Sequence, residues 1–238
     1  MCLMHRLTGP LLAGLMILVG CATAPPPPTS ISTPVSAPEP PAPRDSTVQL
    51  EELSAQGPFQ PNLHLFTCYP QLANAPVVTS ERQVVNFAPM IVVNGVALAS
   101  APSNEACLSS GFGVRYGRPH KGIDLAAPLG SPVYAAAPGI VREVSLARGY
   151  GNQIVIDHGR GVFTRYAHLA GFATGLRPGQ RVGFGVEIGS VGQTGNATGP
   201  HLHYEVLTGS YATPRGSFGL DAHNPLEFPH WPGLSAAS

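Results

Sequence analysis

The 238 residues carry 13 Lys+Arg against 13 Asp+Glu, and charged residues make up only 11%, so the basic footprint of a nucleic-acid binder is absent. That length accommodates one or two domains. With 28 Gly and 26 Pro punctuating short apolar runs, the composition favours an all-β chain with tight turns.

The chain opens with Arg6 and an apolar run from Leu11 to Val19, followed by Gly20 and Cys21. The run suits a signal-peptide core and is too short for a spanning helix. Its end, Leu18-Val19-Gly20-Cys21, resembles a bacterial lipobox. Residues 1–20 are therefore expected to be a lipoprotein signal peptide, cut before Cys21, whose thiol takes up lipid. The alternatives are an ordinary secretory signal cut nearby, or a short buried apolar segment. Residues 21–45 are rich in Pro, Ser, Thr and Ala, with no apolar face to bury. They predict a disordered, polyproline-biased tether reaching roughly 70 Å at ~3.1 Å per residue. The implied location is the cell envelope after export. Ala22 after Cys21 carries no Asp retention signal, which favours the outer membrane, facing the periplasm.

Residues 46–106 read as an N-terminal extension or a small β subdomain. VQLEEL suggests a short helix. Asn94-Gly95 between MIVV and VALA is a type I′ hairpin signal. If Cys2 and Cys21 are accounted for by export and lipid, Cys68 and Cys107 remain. An even pair in an oxidising compartment predicts a disulfide, the alternative being two buried thiols.

Residues 107–228 hold the main domain, in which NQIVID and VFTRYAHL flank His158-Gly159-Arg160-Gly161 as a predicted hairpin. SPVYAAAPGIVREV, QRVGFGVEIGSVG and HLHYEVL add further β-prone runs. Together they predict an antiparallel sheet or sandwich. Residues 229–238 form a C-terminal tail, either packed on the domain or loose.

Chemistry concentrates at three places. In GPHLHYEV, His201 and His203 are two apart, so a strand points both to one face. They could share a metal, divide metal binding from proton transfer, or simply be polar residues on an exposed strand. Upstream, in RPHKGIDL, His120 and Asp124 are four apart, an even spacing that puts them on one face of an extended segment. Pro119 and Gly122 disfavour a helix there. An imidazole and a carboxylate from this segment, plus an imidazole from His201 or His203, make three ligands with one open position, the pattern of a catalytic zinc. No cysteine lies near these motifs, which argues against blue copper and Cys-rich zinc sites. His168, in RYAHL, ends a predicted strand and would add another imidazole. Such a cluster can hydrolyse an amide, with zinc polarising the carbonyl and activating water. Spare histidines would move the proton and support the oxyanion.

Over roughly residues 109–226 the chain resembles the lysostaphin/LytM-type zinc metallopeptidases of family M23. SGFGVR at 110–115 matches the family's opening segment, and HKGIDLAAP matches its HxxxD motif. YAHL and TGPHLHYEV match two later motifs. Tyr150-Gly151-Asn152 fits the central hairpin, and Asn224-Pro225-Leu226 fits the exit. The resemblance implies a β-sheet groove with one Zn2+ on its floor, held by His120, Asp124 and His203. It implies His201 as general base and His168 as the imidazole stabilising the oxyanion. The implied partner is the peptide part of peptidoglycan, cut at a cross-link or stem amide, with cell-division or wall-hydrolase proteins as further partners. Phe184 and Val186 occupy a stretch that is often more polar and are expected to alter one groove wall. The extension has no counterpart in the minimal catalytic domain and is a candidate cover for the groove. His158, His64, His223 and His230 read as turn, surface or packing residues. Tyr204 and Glu205 read as packing or solvating the strand. The competing function is a non-catalytic M23-like module that binds and activates a wall amidase, and a third is a metal-stabilised glycan-binding domain. Such modules usually lack ligands, and here every matching position is filled.

Overall fold

The computed structural model describes residues 58–212 and 214–231. The expected signal peptide, Cys21, the tether and the VQLEEL helix lie outside them. The described strands are β1 Met90–Val93, β2 Val96–Ala99, β3 Cys107–Ser110, β4 Gly113–Arg115, β5 Arg118–His120, β6 Ile123–Ala126, β7 Pro132–Tyr134 and β8 Gly139–Ala147. They continue with β9 Gly151–Asp157, β10 Val162–Leu169, β11 Gly171–Phe172, β12 Arg181–Val182, β13 Glu187–Ser190, β14 His201–Thr208 and β15 Asp221–His223. One 3₁₀ turn, Ser217–Gly219, is the only helical element among the described residues.

The fold is all-β and its sheets are antiparallel. The main sheet runs β12-β8-β9-β10-β14-β6-β3, with β15 pairing the far part of β14. A three-stranded sheet, β11-β13-β7, and two hairpins, β1-β2 and β4-β5, complete it. The predicted hairpin is β9-β10, in which Phe163 stands opposite Asp157.

Alternation along β14 separates the two faces of the main sheet. Leu202, Tyr204 and Val206 are fully buried in the principal core with Tyr166, Ile123, Leu125 and Leu108. His201, His203 and Glu205 point to the other face. There Leu207 joins a second apolar cluster with Val155, Phe163 and Leu220. This small core closes one end of the polar face, and His201 lies at the other end of the strand. Every residue of β10 is buried, because both faces of this central strand are covered.

The extension fills the principal core. Phe59, Leu65, Val84, Met90, Ile91 and Leu98 belong to the same apolar cluster as Leu108 and Tyr204. The Tyr204 hydroxyl donates to the Ala99 carbonyl, and Ala99 N–H donates to Ala136 O. Asn94 and Gly95 both have positive φ, 48° and 77°, as a type I′ turn requires. Cys68 and Cys107 form a disulfide that ties the extension to the first strand of the main sheet. At the other end of the chain, Trp231 N–H donates to Met90 O, and Val92 N–H donates to Pro229 O. The start of the tail is therefore packed on β1.

Candidate metal centre

Strand register assembles the site. His203 stands opposite Asp124 on β6 and opposite Ala167 on β10. His120 ends β5, four residues before Asp124. The chain between them presses on β14 at Gly122, where a Cβ would fall 2.3 Å from the Tyr204 carbonyl oxygen. Any larger residue would push β5 away from β14, and His120 with it.

Three donor atoms converge. His120 Nε2 is 3.0 Å from Asp124 Oδ1, His203 Nδ1 is 2.8 Å from the same oxygen, and the two nitrogens are 3.1 Å apart. All three residues are buried. Each imidazole's remaining nitrogen is committed as a donor. His120 Nδ1–H donates to Gly111 O at 2.6 Å, and His203 Nε2–H donates to Glu205 Oε1 at 3.0 Å. In the neutral rings this fixes the tautomers, so the lone pairs of His120 Nε2 and His203 Nδ1 face each other. The second Asp124 oxygen accepts from Arg115 NH1 at 2.8 Å, which leaves Oδ1 turned inward. Two imidazole nitrogens and one carboxylate oxygen are a zinc donor set. Zinc bonds of 2.0–2.1 Å in a tetrahedron place ligand atoms about 3.4 Å apart. The triad needs to open by only a few tenths of an ångström, so these residues fit the ion.

His201 and His168 border the triad. His201 Nε2 is 3.6 Å from Asp124 Oδ1, outside the converging group, and its Nδ1–H donates to Gly199 O at 2.8 Å. His168 faces it, with ring centroids 4.7 Å apart, and its Nδ1–H donates to Thr194 O at 2.8 Å. In the neutral rings both therefore present the lone pair of Nε2. His168 sits where the β9-β10 register shifts, with φ of 60°. A bulge re-aims a side chain out of the strand's alternation. Burial holds the His168 pKa down at about 4, reinforced by the neighbouring His201. The loop carrying Thr194 is itself pinned, since Thr194 Oγ1 accepts from Asn152 N–H and donates to Leu169 O.

Glu205 corrects the sequence reading. It is completely buried, and it shares the face of His201 and His203 by simple alternation. Its Oε1 accepts from His203 and from the Tyr150 hydroxyl at 2.7 Å, while Oε2 accepts from Arg165 at 2.6 Å. Arg165 is its cross-strand neighbour on β10 and also donates to Ser217 Oγ at 2.8 Å. The guanidinium lies 4.4 Å from the Tyr150 ring and 4.8 Å from that of Phe218. A buried carboxylate needs such partners.

Arg115, Gly111 and Gly122 are further site residues whose roles the motifs alone did not reveal. Gly111, whose carbonyl orients His120, is backed by the extension. Its N–H donates to Ala73 O, and a Cβ there would lie 1.8 Å from Asn74 O. Phe184 does not line a groove wall. It is buried edge-on against Phe59, because the extension offers an aromatic pocket there. His158 contacts Pro138 O and Thr164, and His223 contacts Thr208, both away from the triad. His64 contacts Gln83, and His230 bridges to β1.

The family model of Peptidase family M23 matches residues 118–214, which contain His120, Asp124, His168, His201 and His203. Residues 118–214 are thus a Peptidase family M23 domain. It is 46% identical over 107 residues to the DD-carboxypeptidase/endopeptidase Mpg of Neisseria meningitidis, a match covering 41% of this chain and 24% of that protein. It is 45% identical over 89 residues to the peptidoglycan DD-endopeptidase ShyA of Vibrio cholerae, covering 37% of this chain and 20% of that one. The chain thus spans about a quarter of the length of such relatives. Among solved structures it is similar to a catalytic-domain variant of the prophage-encoded M23 protein EnpA from Enterococcus faecalis. That similarity has 33% identity and a TM-score of 0.45, covering 51% of this chain and 90% of that one.

Proposed function

We propose that this chain is a zinc-dependent endopeptidase that hydrolyses peptide cross-links or stem peptides of peptidoglycan, in cell-wall remodelling or division. One observation carries the reading: His120 Nε2, Asp124 Oδ1 and His203 Nδ1 converge to within 3.1 Å of one another, and the other nitrogen of each ring has its own acceptor in Gly111 O or Glu205. The names of the relatives support the substrate class. A zinc ion on these three atoms would supply Lewis acidity toward water and toward the scissile carbonyl. His201, whose ring is held by Gly199 O and whose Nε2 borders the triad, would take the water proton. His168, with Nδ1–H held by Thr194 O, would donate from Nε2 to the oxyanion only when that nitrogen carries the proton the attacking water gives up. Arg115 and Glu205 hold two of the three ligands in orientation.

The test is zinc stoichiometry of the purified protein beside digestion of cross-linked muropeptides, with and without a chelator. Cleavage that is lost on chelation and restored by zinc supports the reading. A zinc-loaded protein that leaves cross-links intact overturns it in favour of a binding or activating module. The lipobox-like end of the apolar N-terminal run supports one further element, attachment through a lipid on Cys21 to the outer membrane, with the domain working in the periplasm. Cys21→Ala protein that still fractionates with membranes in carbonate would overturn it.

A further inference from the structure

The β4-β5 hairpin carries a basic cavity that the triad does not use. Arg115, Tyr116, Arg118 and Pro119 line an open pocket of about 480 Å³, joined to the triad through Arg115. Arg115 and Arg118 are directly opposed across the hairpin, and His120 pairs with Gly113 one step further along. Cross-strand partners, and residues two apart on a strand, share a face. Arg115, Arg118 and His120 therefore lie on the face that meets Asp124. Arg115 is anchored there by its bond to Asp124 Oδ2. Arg118 is exposed, and its guanidinium has no hydrogen-bond or ion-pair partner among the described residues. Tyr116 is 93% exposed and offers a bare ring as the cavity's apolar wall.

We propose that this cavity is a carboxylate subsite for the peptide substrate, with Arg118 as its principal ligand and the outer edge of Arg115 as its second. The proposal rests on the endopeptidase reading for its substrate class. A planar guanidinium matches a carboxylate, and two of them facing one cavity favour an anion over a neutral group. Arg115 also sets the spacing. With contacts of about 2.8 Å on both sides of one guanidinium, the bound carboxylate lies roughly 8 Å from the Asp124 carboxylate. An extended peptide covers that in two or three residues at about 3.4 Å each. The subsite thus selects chains bearing a free carboxylate within a few residues of the part of the chain that lies over Asp124.

The experiment compares a cross-linked muropeptide dimer with the same dimer after its peptide carboxylates are converted to carboxamides. Cleavage is followed for the zinc-loaded full chain, Arg118→Gln, Arg118→Glu and Lys121→Gln, and calorimetry measures binding of the acid and amidated stem tetrapeptides. The wild type is expected to prefer the acid forms by about five- to tenfold, the scale of one exposed charge-assisted contact. Arg118→Gln should bring that ratio close to one, and Arg118→Glu should reverse it. Lys121→Gln removes an equal charge outside the cavity and should keep the preference. If Arg118→Gln keeps it as well while the wild type cleaves the dimer, the subsite falls and the endopeptidase reading stands. If the wild type leaves the dimer intact, yet its binding preference for the acid tetrapeptide disappears in Arg118→Gln, the endopeptidase reading falls and the subsite stands.

Discussion

His203 lies directly across the β6-β14 ladder from Asp124, and its Nδ1 comes within 2.8 Å of Asp124 Oδ1. His201, two residues earlier on the same face, pairs with Ala126 instead, and its Nε2 stops 3.6 Å from that oxygen. One register therefore separates a member of the converging triad from its neighbour. His203→Ala should lose both zinc and activity. His201→Ala should keep most of its zinc while turnover falls by about 10²–10⁴-fold, the usual cost of removing a general base. Zinc stoichiometry beside muropeptide cleavage measures both. A metal-free His201→Ala protein next to a loaded His203→Ala protein would exchange the two roles.

Glu205 should act on the metal through His203. Glu205→Gln keeps the shape of the side chain but weakens its hold on His203 Nε2–H, so zinc affinity should drop by about 10–100-fold. Glu205→Ala additionally strands Arg165, a buried cation, and should cost about 3–5 kcal/mol of stability. Zinc competition against a chelator reads the first effect and urea unfolding the second. Unchanged zinc affinity in Glu205→Gln would reduce Glu205 to a fold-stabilising residue.

Much of this site follows from local periodicity. His201 and His203 share a face because strands alternate, and Asn94-Gly95 turns because both residues adopt positive φ. Glu205 follows from the same alternation. A carboxylate on a strand normally faces solvent, however, and its counter-ion Arg165 comes from a different strand, which only register reveals. His168 depends on a bulge, and a bulge has no marker in VFTRYAHL. The extension was ambiguous because MIVV and VALA show that apolar surface must be buried without showing which core receives it. Gly111 illustrates a third limit, since its neighbour Asn74 is brought to it by folding from a distant part of the chain.

His158 should make stability depend on pH. Its Nδ1–H donates to Pro138 O, and its Nε2 is 2.7 Å from Thr164 Oγ1. Burial lowers its pKa from an ordinary 6.5 to about 4, outweighing Pro138 and Asp157, which act to raise it. Between these values the unfolded chain binds the proton more readily than the fold does. The stabilisation is therefore complete above pH 6.5 and is lost as pH falls toward 4. At 1.36 kcal/mol per unit it amounts to about 3 kcal/mol at most. The stability difference between the wild type and His158→Gln should shrink over that window. A difference that stays constant from neutral pH to 4 would reject the assignment.

The Cys68–Cys107 bond should stabilise the site as well as the fold. It closes a separation of 39 residues, which in the chain-entropy model is worth about 4 kcal/mol. It also joins the extension to β3, the strand that leads into Gly111 and hence to the carbonyl orienting His120. Cys68→Ala/Cys107→Ala protein should unfold at lower urea concentration. Released from that tie, Ala73 and Asn74 should hold Gly111 less firmly, and zinc affinity should fall modestly even where the protein remains folded. Mass mapping of the unreduced protein checks the bond itself, and two free thiols would refute it. If the bond is present but the double variant binds zinc as tightly as the wild type, the disulfide serves the fold alone, and the path from the extension through Gly111 to His120 carries no weight at the metal centre.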